Sequence, residues 1–166
     1  LGIPGRFSVS NALTVITCGH MLDIPLSDMA DALSVAKGVK GRVEVVPVGL
    51  DCTVVIDYAH TPDALEKVLK AVREGSTGRL VAVFGCGGDR DKTKRPIMGR
   101  IAAQNADFCV VTSDNPRTED PDAIIADILE GMKGSRTPRE VISNRPEAIR
   151  WALDNHRAGD IILLAG

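Results

Sequence analysis

From residue 53 onward, short continuous apolar runs alternate with segments whose apolar side chains recur every three or four positions. Residues 53–56, 80–84, 108–112 and 161–164 are runs of the first kind, and their continuity predicts strands covered on both faces. A weaker fifth run lies at 140–142. Between them, Leu65, Val68, Leu69 and Val72 follow the spacing of one helix face, with Thr61 as N-cap and Pro62 at the first helical position. Ile97, Met98, Ile101 and Ala102 behind Pro96 predict another helix. So do Ile124, Ile125, Ile128 and Met132 behind Asp120 and Pro121, and Ile149, Ala152 and Leu153 behind Pro146. Such strand–helix repetition predicts an α/β fold with a mostly parallel sheet and flanking helices.

The first 40 residues read differently. Two helix-like stretches, 9–22 and 26–36, are broken at Pro25 and Gly38 with no strand between them. Residues 43–46 then predict an edge strand paired with 53–57 across a turn at Gly49. A boundary near residue 40 follows, with 1–40 as the tail of another unit.

Composition narrows the function. Hydrophobic residues are 44%, charged residues 25% and aromatics only 3%, the mix of a globular chain whose core is built from Val, Ile, Leu and Ala. The net charge of -2 leaves no electrostatic footprint for nucleic acid or an anionic membrane. No apolar run approaches the ~18 residues of a membrane span and no leader pattern opens the chain, so a cytoplasmic location is expected. Cys18, Cys52, Cys86 and Cys109 lack paired Cys-x-x-Cys spacing, which argues against zinc or redox chemistry and for reduced core or strand cysteines.

In a parallel sheet, ligands bind beyond the carboxyl ends of the strands, and there the polar residues gather. Asp57-Tyr58-Ala59-His60-Thr61-Pro62 follows the first run, a glycine-rich segment from Gly85 to Lys92 the second, and Ser113 to Asp120 the third. The opposite rim, at 74–79 and 134–138, holds bland connectors. The glycine-rich loop fits neither a dinucleotide nor a phosphate-loop pattern. It is either a tight turn or, with Arg90 and Lys92, a cradle for a carboxylate or phosphate. Asp114, Asn115 and Arg117 beside Pro116 can grip a zwitterion: the guanidinium holds a carboxylate while Asp114 and Asn115 accept from an ammonium. The bland alternative is an Asx turn capping the next helix with Arg117 solvated. Coincidence of the loops on one rim favours binding. Asp57 stands where a carboxylate can accept from ribose hydroxyls, His60 is as compatible with a structural hydrogen bond as with a base, and His20 and His156 fall on predicted helix surfaces.

Gly41-Arg42-Val43-Glu44, the segments 57–63 and 84–96, and Asp114-Asn115-Pro116-Arg117 together resemble the Mur ligases, in the family's order and spacing and over essentially the whole chain. Within that family the resemblance is to the branch that adds meso-diaminopimelate. It implies a Rossmann-like C-terminal domain at 41–166, lacking its final part, preceded at 1–40 by the helical tail of a central ATPase domain. It implies an enzyme that uses ATP and magnesium to turn the D-glutamate carboxyl of a UDP-linked muramoyl dipeptide into an acyl phosphate. The amine of meso-diaminopimelate then attacks, in peptidoglycan synthesis. Diaminopimelate contacts carry over to Arg90, Asp114, Asn115, Pro116 and Arg117. ATP contacts carry over to Asn11, Arg42 and Asp57, with Tyr58 and His60 as neighbours. No catalytic or metal-ligating residue carries over. Ser8 replaces an asparagine common in the family, and the chain stops before a Gly-Lys-Gly-His-Glu loop. Without the N-terminal and central domains in cis, the fragment is expected to be inactive. A buried Arg117 left unpaired by lysine would select diaminopimelate. The competing readings are a non-catalytic nucleotide- or amino-acid-binding module, and a sister enzyme such as the lysine-adding ligase or a folylpolyglutamate synthetase.

Overall fold

The structure, a computed structural model, describes residues 6–74 and 76–166, so residues 1–5 and Gly75 of the 74–79 connector lie outside the description. Helices α1 (Arg6–Met21) and α2 (Leu26–Val35) lead into β1 (Glu44–Val46) and β2 (Thr53–Asp57). There follow α3 (Pro62–Glu74), β3 (Leu80–Phe84), α4 (Lys94–Asn105), β4 (Phe108–Val111), α5 (Pro121–Glu130), β5 (Arg139–Val141), α6 (Arg145–Asp154) and β6 (Ile161–Ala165). The helix starts follow their local chemistry. Thr61 Oγ1 accepts from Ala64 N at 3.3 Å, Asp120 from Asp122 N at 3.0 Å, and Asn144 from Glu147 N at 3.0 Å. Each cap is followed by proline within the first two helical positions, where no N–H is needed.

The six strands form one sheet in the order β1-β2-β6-β3-β4-β5, with β1 antiparallel and the rest parallel. Crossovers from β2 to β3, β4 and β5 advance in one direction, and the last crossover returns to insert β6 between β2 and β3. Right-handed connections therefore put α3, α4 and α5 on one face and α6 on the other. The strand side chains divide accordingly. Leu80, Ala82 and Phe84 pack under α3–α5 while Val81 and Val83 pack under α6. Both faces are covered, which is why these strands read as unbroken apolar runs.

Several expectations needed correction. Ile97 is 36% exposed, because α4 is wedged between α3 and α5 and buries Met98, Ile101, Ala102 and Gly99. Gly99 is required there, since a Cβ would collide with the Ile128 carbonyl of α5. Val43 is not a strand residue: its φ of 46° is left-handed, and β1 begins one residue later. Cys18 is exposed on α1 rather than in a core or strand, whereas Cys86 and Cys109 are buried. His156 lies beyond the end of α6 and pairs with Asp51 at 2.7 Å instead of standing on a helix surface.

Candidate functional site

The carboxyl rim of the sheet carries two polar groups, and the end of β6 stands between them. On the β2 side, Asn11 from α1, Arg42 from the segment before β1 and Asp57 from the last position of β2 line a cleft of about 710 Å³. Ala12, Val15 and Val68 supply apolar walls. Asp57 is only 9% exposed, and its Oδ2 accepts from Val43 N at 2.9 Å. That bond holds a β-branched residue in a backbone region it rarely adopts. Tyr58 N donates to Gly41 O at 2.9 Å, and Gly41 N donates to Glu44 Oε2 at 2.7 Å, so the 41–44 turn is tied to the strand end. One Asp57 oxygen is thus structural, and the carboxylate is less available to a ribose than its strand-end position implied.

Tyr58 and His60 stand outside the cleft lining. Tyr58 is 55% exposed, with Arg42 5.0 Å from its ring centroid and the His60 ring at 4.9 Å. The three form a ladder on the cleft's outer flank. His60 O accepts from Lys94 Nζ at 2.9 Å, and its Nδ1 lies 3.0 Å from Tyr58 O.

On the β3–β4 side, the glycine-rich loop and the 113–119 loop are bonded to each other. Gly88 N donates to Asn115 O at 2.8 Å, Arg117 Nη1 donates to Gly88 O at 2.6 Å, and Thr118 Oγ1 donates to Asp89 Oδ1 at 2.8 Å. The glycines serve this approach rather than an isolated turn. A Cβ on Gly85 would lie 2.9 Å from Asp114 N, one on Gly87 2.9 Å from Arg117 Nη1, and one on Gly88 2.6 Å from the Pro116 carbonyl carbon. An Asx turn does form, with Arg117 N on Asn115 Oδ1 at 3.3 Å, but the helix that follows is capped by Asp120. Arg90 is exposed, with Nη1 on Asp89 O at 3.2 Å. Arg117 is also exposed, which contradicts the expected burial and removes the strongest form of the discrimination against lysine.

The rim holds charged residues that the sequence reading passed over. Arg95 is 1% exposed and salt-bridges Glu119 at 2.7 Å and Asp127 at 2.9 Å. Bonds from Arg95, then Lys92 and the Asp89 amide, pull the Glu119 carboxyl down to about 2. Arg145 Nη2 donates to Ala165 O at 3.0 Å while Nη1 is buried without a partner among the described residues. Burial lowers its pKa, opposed by the charge of Asp114. In the sequence these charges look like those of solvated loops, since nothing local marks them for burial. Burial pushes the Cys86 thiol up to about 11, so it is no nucleophile. Among the described residues, no group of three or more His, Cys, Asp or Glu side chains is placed to hold a metal ion. No helix among them is long and apolar enough to cross a membrane.

The chain is similar to known proteins over its whole length. Residues 41–166 match the family described as Mur ligase, glutamate ligase domain. A UDP-N-acetylmuramoyl-L-alanyl-D-glutamate–2,6-diaminopimelate ligase from Caldanaerobacter subterraneus subsp. tengcongensis is 54% identical over 166 residues, 100% of this chain and 34% of the relative. A solved structure of a ligase of the same name aligns with a TM-score of 0.72 at 40% identity, covering 99% of this chain and 34% of that one. The UDP-N-acetylmuramate-alanine ligase of Thermotoga maritima aligns at 0.79 and 25% identity, covering 100% of this chain and 35% of that one. The chain spans about a third of the length of the relatives it matches.

Proposed function

Because the chain belongs to the Mur ligase family through its glutamate ligase domain, we propose that it forms the amino-acid-recruiting part of a cytoplasmic ATP-dependent ligase. The enzyme adds meso-diaminopimelate to UDP-N-acetylmuramoyl-L-alanyl-D-glutamate in peptidoglycan synthesis. The observation that supports the reading is the bonded pair of loops on the β3–β4 rim, which bear Arg90 on one and Asp114, Asn115, Pro116 and Arg117 on the other. A zwitterionic amino acid with a second carboxylate suits it. Arg117 keeps donors beyond the one given to Gly88 and can fork onto a carboxylate, while Asp114 accepts from an ammonium. Pro116 stiffens the loop.

The β2-side cleft fits a nucleoside. Its apolar walls suit a base, and Asn11, Arg42 and Asp57 supply polar contacts at its edges, with Tyr58 and His60 on the flank. ATP in this enzyme supplies the phosphoryl group that activates the acceptor carboxyl. This chain's part is to hold the adenosine end and to aim the incoming amine. In this reading residues 1–40 are the tail of a central ATPase domain, and magnesium would act with ATP in the whole enzyme. Exposed Val9, Leu13 and Met21 on α1 fit a helix pair that packs against such a domain.

Activity is tested by phosphate release and peptide-bond formation in the full-length protein. Turnover that requires diaminopimelate and is far slower with lysine is expected, and the isolated 166-residue chain should release no phosphate. Equal use of both amino acids refutes the substrate assignment. Binding without turnover in the full-length protein identifies a non-catalytic module.

A further inference from the structure

Arg95 lies in the first turn of α4 and is only 1% exposed, a burial that is costly for a charged side chain unless it is fully engaged. Its Nη1 and Nη2 reach Glu119 at 3.1 and 2.7 Å, and Nη1 also reaches Asp127 of α5 at 2.9 Å. Glu119 passes the constraint on, because its Oε1 accepts from the Asp89 amide at 2.6 Å. The Asp89 carboxylate in turn accepts from Thr118 N at 3.2 Å and Thr118 Oγ1 at 2.8 Å. An unbroken chain of bonds therefore runs from the interior of α4 to both loops of the β3–β4 rim.

Those loops need holding. Asp89 and Arg117 both have φ near 51°, a left-handed conformation that non-glycine residues adopt only when their surroundings impose it. Arg95 is also an expensive way to stabilise a core. Its Nε is buried without a partner among the described residues, and an apolar side chain of similar volume often does as well or better.

We propose that Arg95 is a positioning residue for the incoming amino acid. By fixing Glu119 it sets the separation of loops 87–90 and 114–118, and so the placement of Arg90 and Arg117, without itself touching the substrate. The affinity part of this proposal rests on the reading that these loops receive diaminopimelate.

The test uses the full-length enzyme with Arg95→Met and Arg95→Lys, measuring KM for each of the three substrates, kcat and thermal unfolding. Arg95→Met should stay folded and raise KM for diaminopimelate by about ten- to a hundredfold, as misplaced binding groups do. KM for ATP and for the nucleotide substrate should be unchanged. Arg95→Lys keeps the charge but loses the planar fork, and should fall between Met and wild type. An unchanged KM for diaminopimelate, or a parallel rise in all three constants, overturns the proposal. If Arg95→Met does not fold, Glu119→Gln is read by the same criteria. Amide hydrogen exchange at Gly88 and Asp89 reports the clamp without substrate: faster exchange in the variant supports it, and unchanged protection overturns it. A wild-type enzyme indifferent to diaminopimelate refutes the substrate reading, while the exchange data still decide the clamp.

Discussion

Replacing Gly88 with alanine should separate the two loops of the β3–β4 rim. An added Cβ would sit 2.6 Å from the Pro116 carbonyl carbon and closer still to its oxygen, both of them backbone atoms that cannot rotate away. Ordinary carbon–carbon contact needs about 3.5 Å or more, so the loops must part by about 1 Å. That displacement takes the Gly88 N to Asn115 O bond, now 2.8 Å, past hydrogen-bonding distance, and strains the Arg117 Nη1 to Gly88 O bond at 2.6 Å. The first is worth about 0.5–1.5 kcal/mol and the second, with its charged donor, up to about 1.5–3 kcal/mol, so the variant should lose up to about 2–4.5 kcal/mol. For a chain of this size that is a fall of about 5–15 °C in the unfolding midpoint. The control is Gly38→Ala, where nothing lies within 4 Å and no positive φ is required. Its stability should be unchanged or rise by up to about 1 kcal/mol, because alanine narrows the unfolded ensemble. Urea or thermal unfolding of both variants, followed by circular dichroism, makes the comparison. Equal midpoints would refute the claim that these glycines serve the approach of the loops.

Two further outcomes can be measured on the opposite rim. Asp160 is 2% exposed and accepts from Arg79 Nη2 at 2.6 Å and from Arg157 N at 2.9 Å, so Asp160→Ala should cost about 3–5 kcal/mol, read as a shift in urea midpoint at constant slope. His156 has its pKa raised above 6.5 by its bond to the Leu153 carbonyl and by Asp51. A raised folded-state pKa means its contribution is complete below about pH 6.5 and fades as pH rises through the folded value. The stability gap between wild type and His156→Gln should therefore shrink with rising pH across that window. A gap that widens would show that the imidazole is held neutral.

How much could be read in advance differed from element to element. Leu65, Val68, Leu69 and Val72 line up on one face of α3 as their spacing predicts, because that helix buries a single stripe and exposes the rest. The stripe proposed for α4 failed at Ile97, because a helix packed between two others has no single buried face. The site divided in the same way. The polar loops after β2, β3 and β4 were identifiable because a parallel sheet concentrates unpaired backbone groups at its carboxyl ends. The role of Arg95 was hidden, since burying it takes Glu119 and Asp127, 24 and 32 residues away. Arg117 was misjudged in the other direction: its bond to Gly88 leaves it at the surface.

By itself, the sequence determined what local physics controls: the apolar runs that must be strands, the Thr61, Asp120 and Asn144 caps that start helices, and the glycine-rich and Asp-Asn-Pro-Arg segments at strand ends. Only the tertiary structure decided the insertion of β6 between β2 and β3, which separates the β2-side cleft from the β3–β4 loops. It alone decided the left-handed turn that Asp57 holds at Val43 and the buried guanidinium behind the rim. The physical reason is range. Caps and periodicity are settled within a few residues, whereas strand order and buried ion pairs are set by groups far apart in the chain that meet only on folding.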